Sequence, residues 1–210
     1  MLIDLPNSSL FFERCFLIIE GPTEEHCLPK LYFKKFNKKL IEDGILLVNV
    51  EGVGNAKGFI KLLRKNKEQN LLFLLDSDIN NPDSQCRITD SELEGIGFDI
   101  SDIRKRVFHI GDKEFEDSFK NKTIINVLNK YWEKADNAPW VAKDIDDLRL
   151  KDKFSDALMN ETNKLSRKRG IDRCTKPRFG EKIGEICEIN DYPNIILKLF
   201  KEARKISKVK

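Results

Sequence analysis

No apolar run in this sequence approaches the roughly 18 to 20 residues that span a bilayer. The opening segment, Met1 to Pro6, lacks the basic start and apolar stretch of a secretory signal. A cytoplasmic chain with no membrane contact is therefore expected. Histidine is scarce, with only His26 and His109, and the five cysteines (Cys15, Cys27, Cys86, Cys174 and Cys187) show no paired metal-ligand spacing. A structural zinc site is thus disfavoured, free thiols are expected, and any metal should be a hard ion held by oxygen. A Gly-x-x-x-x-Gly-Lys-Ser/Thr phosphate loop is missing as well: Gly52 and Gly54 are followed by Asn55 and Ala56, so no nucleotide site is expected in this chain. Strong net charge is also lacking. The balance of +3 identifies no partner by itself.

What is present is a chain of 210 residues, 40% hydrophobic and 35% charged, enough for one sizeable core with a small appendage. The apolar run Cys15 to Ile19 reads as a buried strand ending at Glu20-Gly21-Pro22. Thr23 offers an N-cap hydroxyl to the helix that follows, Glu24 and Glu25 suit its positive end, and Pro29 within the helical pattern predicts a bend. Ile45 to Val50 is a second strand closed by the Gly52 and Gly54 loop, with Phe59, Leu62 and Leu63 marking a helix. Leu71 to Leu75 is a third strand, stopping at Asp76-Ser77-Asp78 before Asn80-Asn81-Pro82. Arg106 to Ile110 is a fourth, leading to Asp112-Lys113-Glu114-Phe115-Glu116. Strands apolar on both faces and alternating with helices predict an α/β fold, a mostly parallel sheet flanked by helices. Beyond Ser118 the period turns helical. The expected division is a core over 1–120, a helical insert over 121–172 and C-terminal helices over 173–210 that complete the domain.

Ligands of open parallel sheets sit at the carboxyl ends of the strands. Glu20, Asp76 and Asp78 fall at such ends, Glu24 lies in the first helical turn after Glu20, and Glu116 follows the fourth strand by a short loop, where Asp112 or Glu114 could replace it. Each piece has a plain alternative, since Asp is a common turn residue and Glu a common helix starter. Together they form a set whose mutual repulsion divalent cations would relieve. Two Mg²⁺ or Mn²⁺ ions would also serve in-line phosphodiester cleavage. A phosphatase or receiver-like domain with Asp76 as nucleophile leaves Glu20 and Glu24 without a task. Strand rejoining through tyrosine is disfavoured, because Tyr32, Tyr131 and Tyr192 lie in or beside apolar helical patterns.

The order strand, Glu-Gly, Glu four later, strand, strand, Asp-x-Asp is that of the TOPRIM domain. The segments Leu10 to Glu25, Gly44 to Asn55, Leu75 to Asp78 and, less closely, Phe115 to Asp117 resemble the TOPRIM domain of OLD (overcoming lysogenization defect) nucleases. The resemblance implies a Rossmann-like TOPRIM fold and a metal-dependent DNA endonuclease with Glu20, Glu24, Asp76, Asp78 and Glu116 as ligands, Glu20 and Asp76 being catalytic. It implies a catalytic lysine, matched by Lys176 in Thr175-Lys176-Pro177, where Thr175 can cap a helix and Pro177 fits its first turn. The nearby cations Arg167, Lys168, Arg169, Arg173 and Arg178 are then expected on the DNA phosphate backbone, although such a stretch is often only a solvated helix face. The tail from Lys198 to Lys210 is basic too. OLD proteins typically carry an ATPase ahead of this domain, so a separate ATPase subunit, and a role in anti-phage defence, are expected; a homo-oligomer is possible. RNA cleavage and a catalytically silent nucleic-acid-binding subunit are the alternatives.

Overall fold

The computed structural model describes residues 14–51, 70–77, 94, 99, 101 and 104–208. Four strands run through it: β1 (Cys15–Ile19), β2 (Ile45–Asn49), β3 (Leu71–Asp76) and β4 (Val107–Ile110). They pair in the order β2-β1-β3-β4, every pair parallel. This is the α/β sheet expected from the apolar runs. All five residues of β1 are buried, as a strand covered on both faces requires.

Six α-helices are described: α1 (Pro22–Phe36), α2 (Asn121–Tyr131), α3 (Ala142–Arg149), α4 (Phe154–Leu165), α5 (Lys176–Ile186) and α6 (Asn194–Ile206). Leu17, Ile19, Leu72, Leu74 and Ile110 face a core shared with Leu28 and Leu31 of α1, Ile183 of α5 and Leu199 of α6. Phe16, Ile18 and Phe73, on the opposite face, are buried as well. In α6 the buried positions Ile196, Leu199, Phe200 and Ala203 follow the helical period and turn the basic residues of the tail outward.

The strand order creates the site. From β1 the chain passes through α1 to β2 on one side, whereas β3 is followed by β4 on the other. The carboxyl ends of β1 and β3 thus lie together where the paths diverge, the usual crevice of such sheets.

Helix α1 begins differently from the sequence expectation. Its N-cap is Gly21, in extended conformation, and not Thr23. Gly21-Pro22 starts the helix because proline is well placed in a first turn, which frees the Thr23 hydroxyl for another partner. The helix also continues through Pro29. Helix α5 starts where Thr175 and Pro177 suggested, with Thr175 at the N-cap position, but its hydroxyl makes no capping bond. The Gly52 and Gly54 loop, the helix marked by Phe59, Leu62 and Leu63, the Asn80-Asn81-Pro82 loop and Cys86 lie outside the described residues. Cys15, Cys27, Cys174 and Cys187 are free thiols.

Helix α5 lies against α1 through glycine. A Cβ on Gly180 would overlap the Thr23 carbonyl oxygen, and one on Gly184 would sit 3.0 Å from that of Cys27. Two small residues four apart let the backbones approach closely, and side chains at either position would push them apart. Gly180→Ala should therefore destabilise the chain by about 1–3 kcal/mol or more, and Gly184→Ala by less. Urea unfolding of both variants checks the order, and equal stabilities would refute this account of the packing.

Candidate active site

The site collects residues from four places in the chain. Glu20 leaves the end of β1 half-buried, and its Oε1 accepts a hydrogen bond from the Asp76 backbone N–H at 2.7 Å. The ends of the two central strands are thereby tied by one of the candidate carboxylates. Glu24, in the first turn of α1, is 4% exposed, and Glu116, in the 3₁₀ turn Phe115–Ser118, is 2% exposed. Thr23 Oγ1 donates to Glu116 Oε1 at 2.5 Å. The hydroxyl expected to cap a helix instead holds an acid from 93 residues further along. Asp78 lies outside the described residues.

These acids are held against their ionisation. Burial pushes the Glu24 carboxyl from its ordinary range up to about 8, and the charges of Glu116 and Glu20 push the same way. Glu116 is raised too, because burial outweighs the opposing help of Lys176 and the Thr23 hydroxyl. Lys176, the first residue of α5, is partly buried, which disfavours its charge. The carboxylates of Glu116, Glu114, Asp156 and Asp76 more than offset this and raise it. The ammonium group is thus secured at neutral pH, although it sits at the positive end of a helix. Close packing of Gly180 against Thr23 sets the distance between the two helix starts, so Lys176 faces Glu24 and Glu116.

The loop bearing Glu116 is built to stay still. Gly111 has φ +75 and no room for a Cβ, and the Asp117 carboxylate accepts from the backbone N–H groups of Asp112, Lys113 and Glu114 at 2.7, 2.9 and 3.0 Å. Ser77 Oγ donates to the carbonyls of Ile110 and Gly111, joining the end of β3 to that of β4. From the helical half, Arg149 donates to the carbonyls of Asp117 and Phe119 at 2.7 and 2.5 Å. Glu114 accepts from the N–H and hydroxyl of Ser155 at 2.7 and 2.9 Å, so it serves the start of α4. Asp112 is exposed. Of the three acids open to the sequence reading, Glu116 is the one beside Glu24.

Thr23, Asp117, Arg149 and Gly180 had no role in the sequence reading. A Gly-x-x-x-Gly spacing at 180 and 184 was visible there, but its partner helix was not. Among the cations expected on DNA, Arg167 donates to the Ala135 carbonyl and Asn137, Arg169 to the carbonyls of Asn163, Ser166 and Lys168, and Arg178 to the Ile171 carbonyl and Asp172. Lys168 and Arg173 are exposed beside them. Among the described residues no group of three acidic, histidine or cysteine side chains is already arranged to hold a metal ion.

Residues 11–78 match the family described as Overcoming lysogenization defect protein-like, TOPRIM domain. The chain carries an OLD-like TOPRIM domain. Structural similarity extends further. The C-terminal region of the Burkholderia pseudomallei OLD protein is 20% identical over 94% of this chain and 100% of its own length, with a TM-score of 0.60. That of the Xanthomonas campestris pv. campestris OLD protein is 17% identical over 95% and 98%, with a TM-score of 0.63. At such identities the likeness establishes the TOPRIM fold across the chain. Comparison with curated proteins finds no match. OLD TOPRIM domains are generally nuclease-associated, and TOPRIM domains generally bind divalent metals. No helix among the described residues is long and apolar enough to cross a membrane.

The acids give this domain a pH signature. Without divalent ions, folding favours protonated Glu24, so that contribution is complete below the ordinary carboxylate range and is lost as pH rises through about 8. The melting temperature in chelator should fall across that window, and Glu24→Gln should flatten the fall. A flat profile for the unaltered chain would show that Glu24 is not held as described.

Proposed function

We propose that this OLD-like TOPRIM domain hydrolyses phosphodiester bonds in DNA with two Mg²⁺ or Mn²⁺ ions. The observation that carries the reading is the pair of buried acids, Glu24 and Glu116, brought side by side from distant parts of the chain with Lys176 as their common cation. A protein that only needed to fold would do better with apolar residues there. The oxygen-only donor set of Glu20, Glu24, Asp76, Glu116 and, from the motif, Asp78 fits a hard divalent ion.

Bound there, divalent ions supply Lewis-acid polarisation and a more acidic water. The chain's own groups do the rest. Glu20, anchored on the Asp76 N–H, is placed to take up the proton of an attacking water. Asp76 presents its carboxylate at the adjoining strand end. Lys176 keeps its charge through neutral pH and can stabilise negative charge that builds on phosphate oxygens in the transition state. Lys168 and Arg173 are free to touch the backbone without reading bases. A separately encoded ATPase, and a role in anti-phage defence, fit the ATPase-bearing architecture typical of OLD proteins.

Incubation with supercoiled DNA, linear DNA and RNA in Mg²⁺, Mn²⁺ or Ca²⁺ tests the proposal. Nicking is expected with DNA, lost in Asp76→Ala and reduced about 10²- to 10³-fold in Lys176→Ala, the scale for removing one transition-state donor. Undiminished cleavage by Asp76→Ala would remove the proposal. Cleavage confined to RNA would move it to the other nucleic acid.

A further inference from the structure

Two side chains stand out against the core. Ile171 is 90% exposed and Leu150 82%, whereas the next most exposed large hydrophobic residue among those described, Ile41, is 50%. Single exposed apolar residues are ordinary on protein surfaces. These two share a location and a chemical setting that set them apart.

Ile171 tips the 3₁₀ turn Gly170–Asp172, at a point where a Cβ on Gly170 would meet nothing within 4 Å. The base of that turn is pinned. Arg178 donates to the Ile171 carbonyl and, at 3.1 Å, to the Asp172 carboxylate, while Trp132 Nε1 donates to the Asp172 carbonyl at 3.0 Å. Four residues after Asp172 the chain reaches Lys176. Leu150 follows Arg149, whose guanidinium grips the backbone of the turn that carries Glu116. Four residues after Leu150, α4 begins, and its Ser155 is bound by Glu114. Each apolar tip therefore stands one short segment from a wall of the carboxylate site. Both are surrounded by exposed cations, Lys168, Arg169 and Arg173 near Ile171 and Lys151 and Lys153 near Leu150. An apolar tip on a pinned backbone, ringed by cations, matches double-stranded nucleic acid: cations hold the phosphates while the wedge presses between bases.

We propose that Leu150 and Ile171 are two wedges that unstack duplex DNA beside the bond to be cut. The inference rests on the nuclease reading and adds to it a way of deforming the substrate. Short duplexes carrying 2-aminopurine at stepped positions, titrated with the protein in Ca²⁺, report unstacking without needing turnover. A fluorescence rise at some positions is expected for the unaltered chain. The Leu150→Ser/Ile171→Ser variant should lose that rise, bind duplex about tenfold or more weakly, and keep its melting temperature, because both residues are solvent-exposed. Leu150→Met/Ile171→Val should retain the rise. A serine variant that binds and unstacks like the unaltered chain overturns the proposal, and so does duplex binding by the unaltered chain with no rise at any position. The nuclease reading fails elsewhere, as duplex that is unstacked but never cut.

Discussion

The contact on which the rest of this structure depends is the seating of Gly180 on the carbonyl of Thr23. It brings the starts of α1 and α5 together, and with them the residues that matter chemically: Glu24 from one helix, Lys176 from the other, and Glu116 bound by the Thr23 hydroxyl. A larger residue at 180 would separate the helices, and the cation would move away from its acids. Packing and electrostatics are thus one constraint here. The close approach is possible only because a side chain is absent, and the charge arrangement exists only because of the close approach.

The sheet supplies the other half. Parallel order β2-β1-β3-β4 places the ends of β1 and β3 side by side, and the Glu20 bond to the Asp76 N–H fastens them. The β4 loop is then fixed by its own acid, Asp117, and by Arg149 from the helical half. Helices α3 and α4 therefore do more than add bulk: through Arg149 and Ser155 they brace the loop that carries Glu116.

The strands were legible because each is a short apolar run ending in a polar residue, a pattern that survives any tertiary context. Glu20, Asp76 and Glu116 could be placed at strand ends for the same reason. Lys176 was legible from Thr175 and Pro177, which mark a helix start. What escaped was everything whose meaning depends on a distant partner. Thr23 looks like a cap until Gly21-Pro22 starts the helix and Glu116 arrives from 93 residues away. Asp117 looks like one more acid in an acidic loop, yet its carboxylate organises three consecutive N–H groups. Arg167, Arg169 and Arg178 read as a nucleic-acid patch, whereas much of their hydrogen bonding is spent on nearby loop carbonyls and side chains. Local sequence reports charge but not where charge is spent.

A comparison inside the molecule sharpens the reading of the acid pair. Asp43, near the start of β2, is as buried as Glu116, at 2% exposed. Its carboxylate accepts from the Tyr32 hydroxyl at 2.5 Å and from Arg204 at 2.7 Å, and Lys38 stands 3.5 Å away. That is how a protein usually stabilises a buried acid for structure alone: paired charge, several donors and good geometry. Glu24 and Glu116 are treated otherwise. They face each other, one bonded to Thr23, and they share a single lysine that several further carboxylates also draw upon. The same chain has satisfied one buried acid fully and left two others short of positive charge at the carboxyl end of its sheet. Such a deficit costs stability, and it makes sense where a divalent cation is meant to make up the difference.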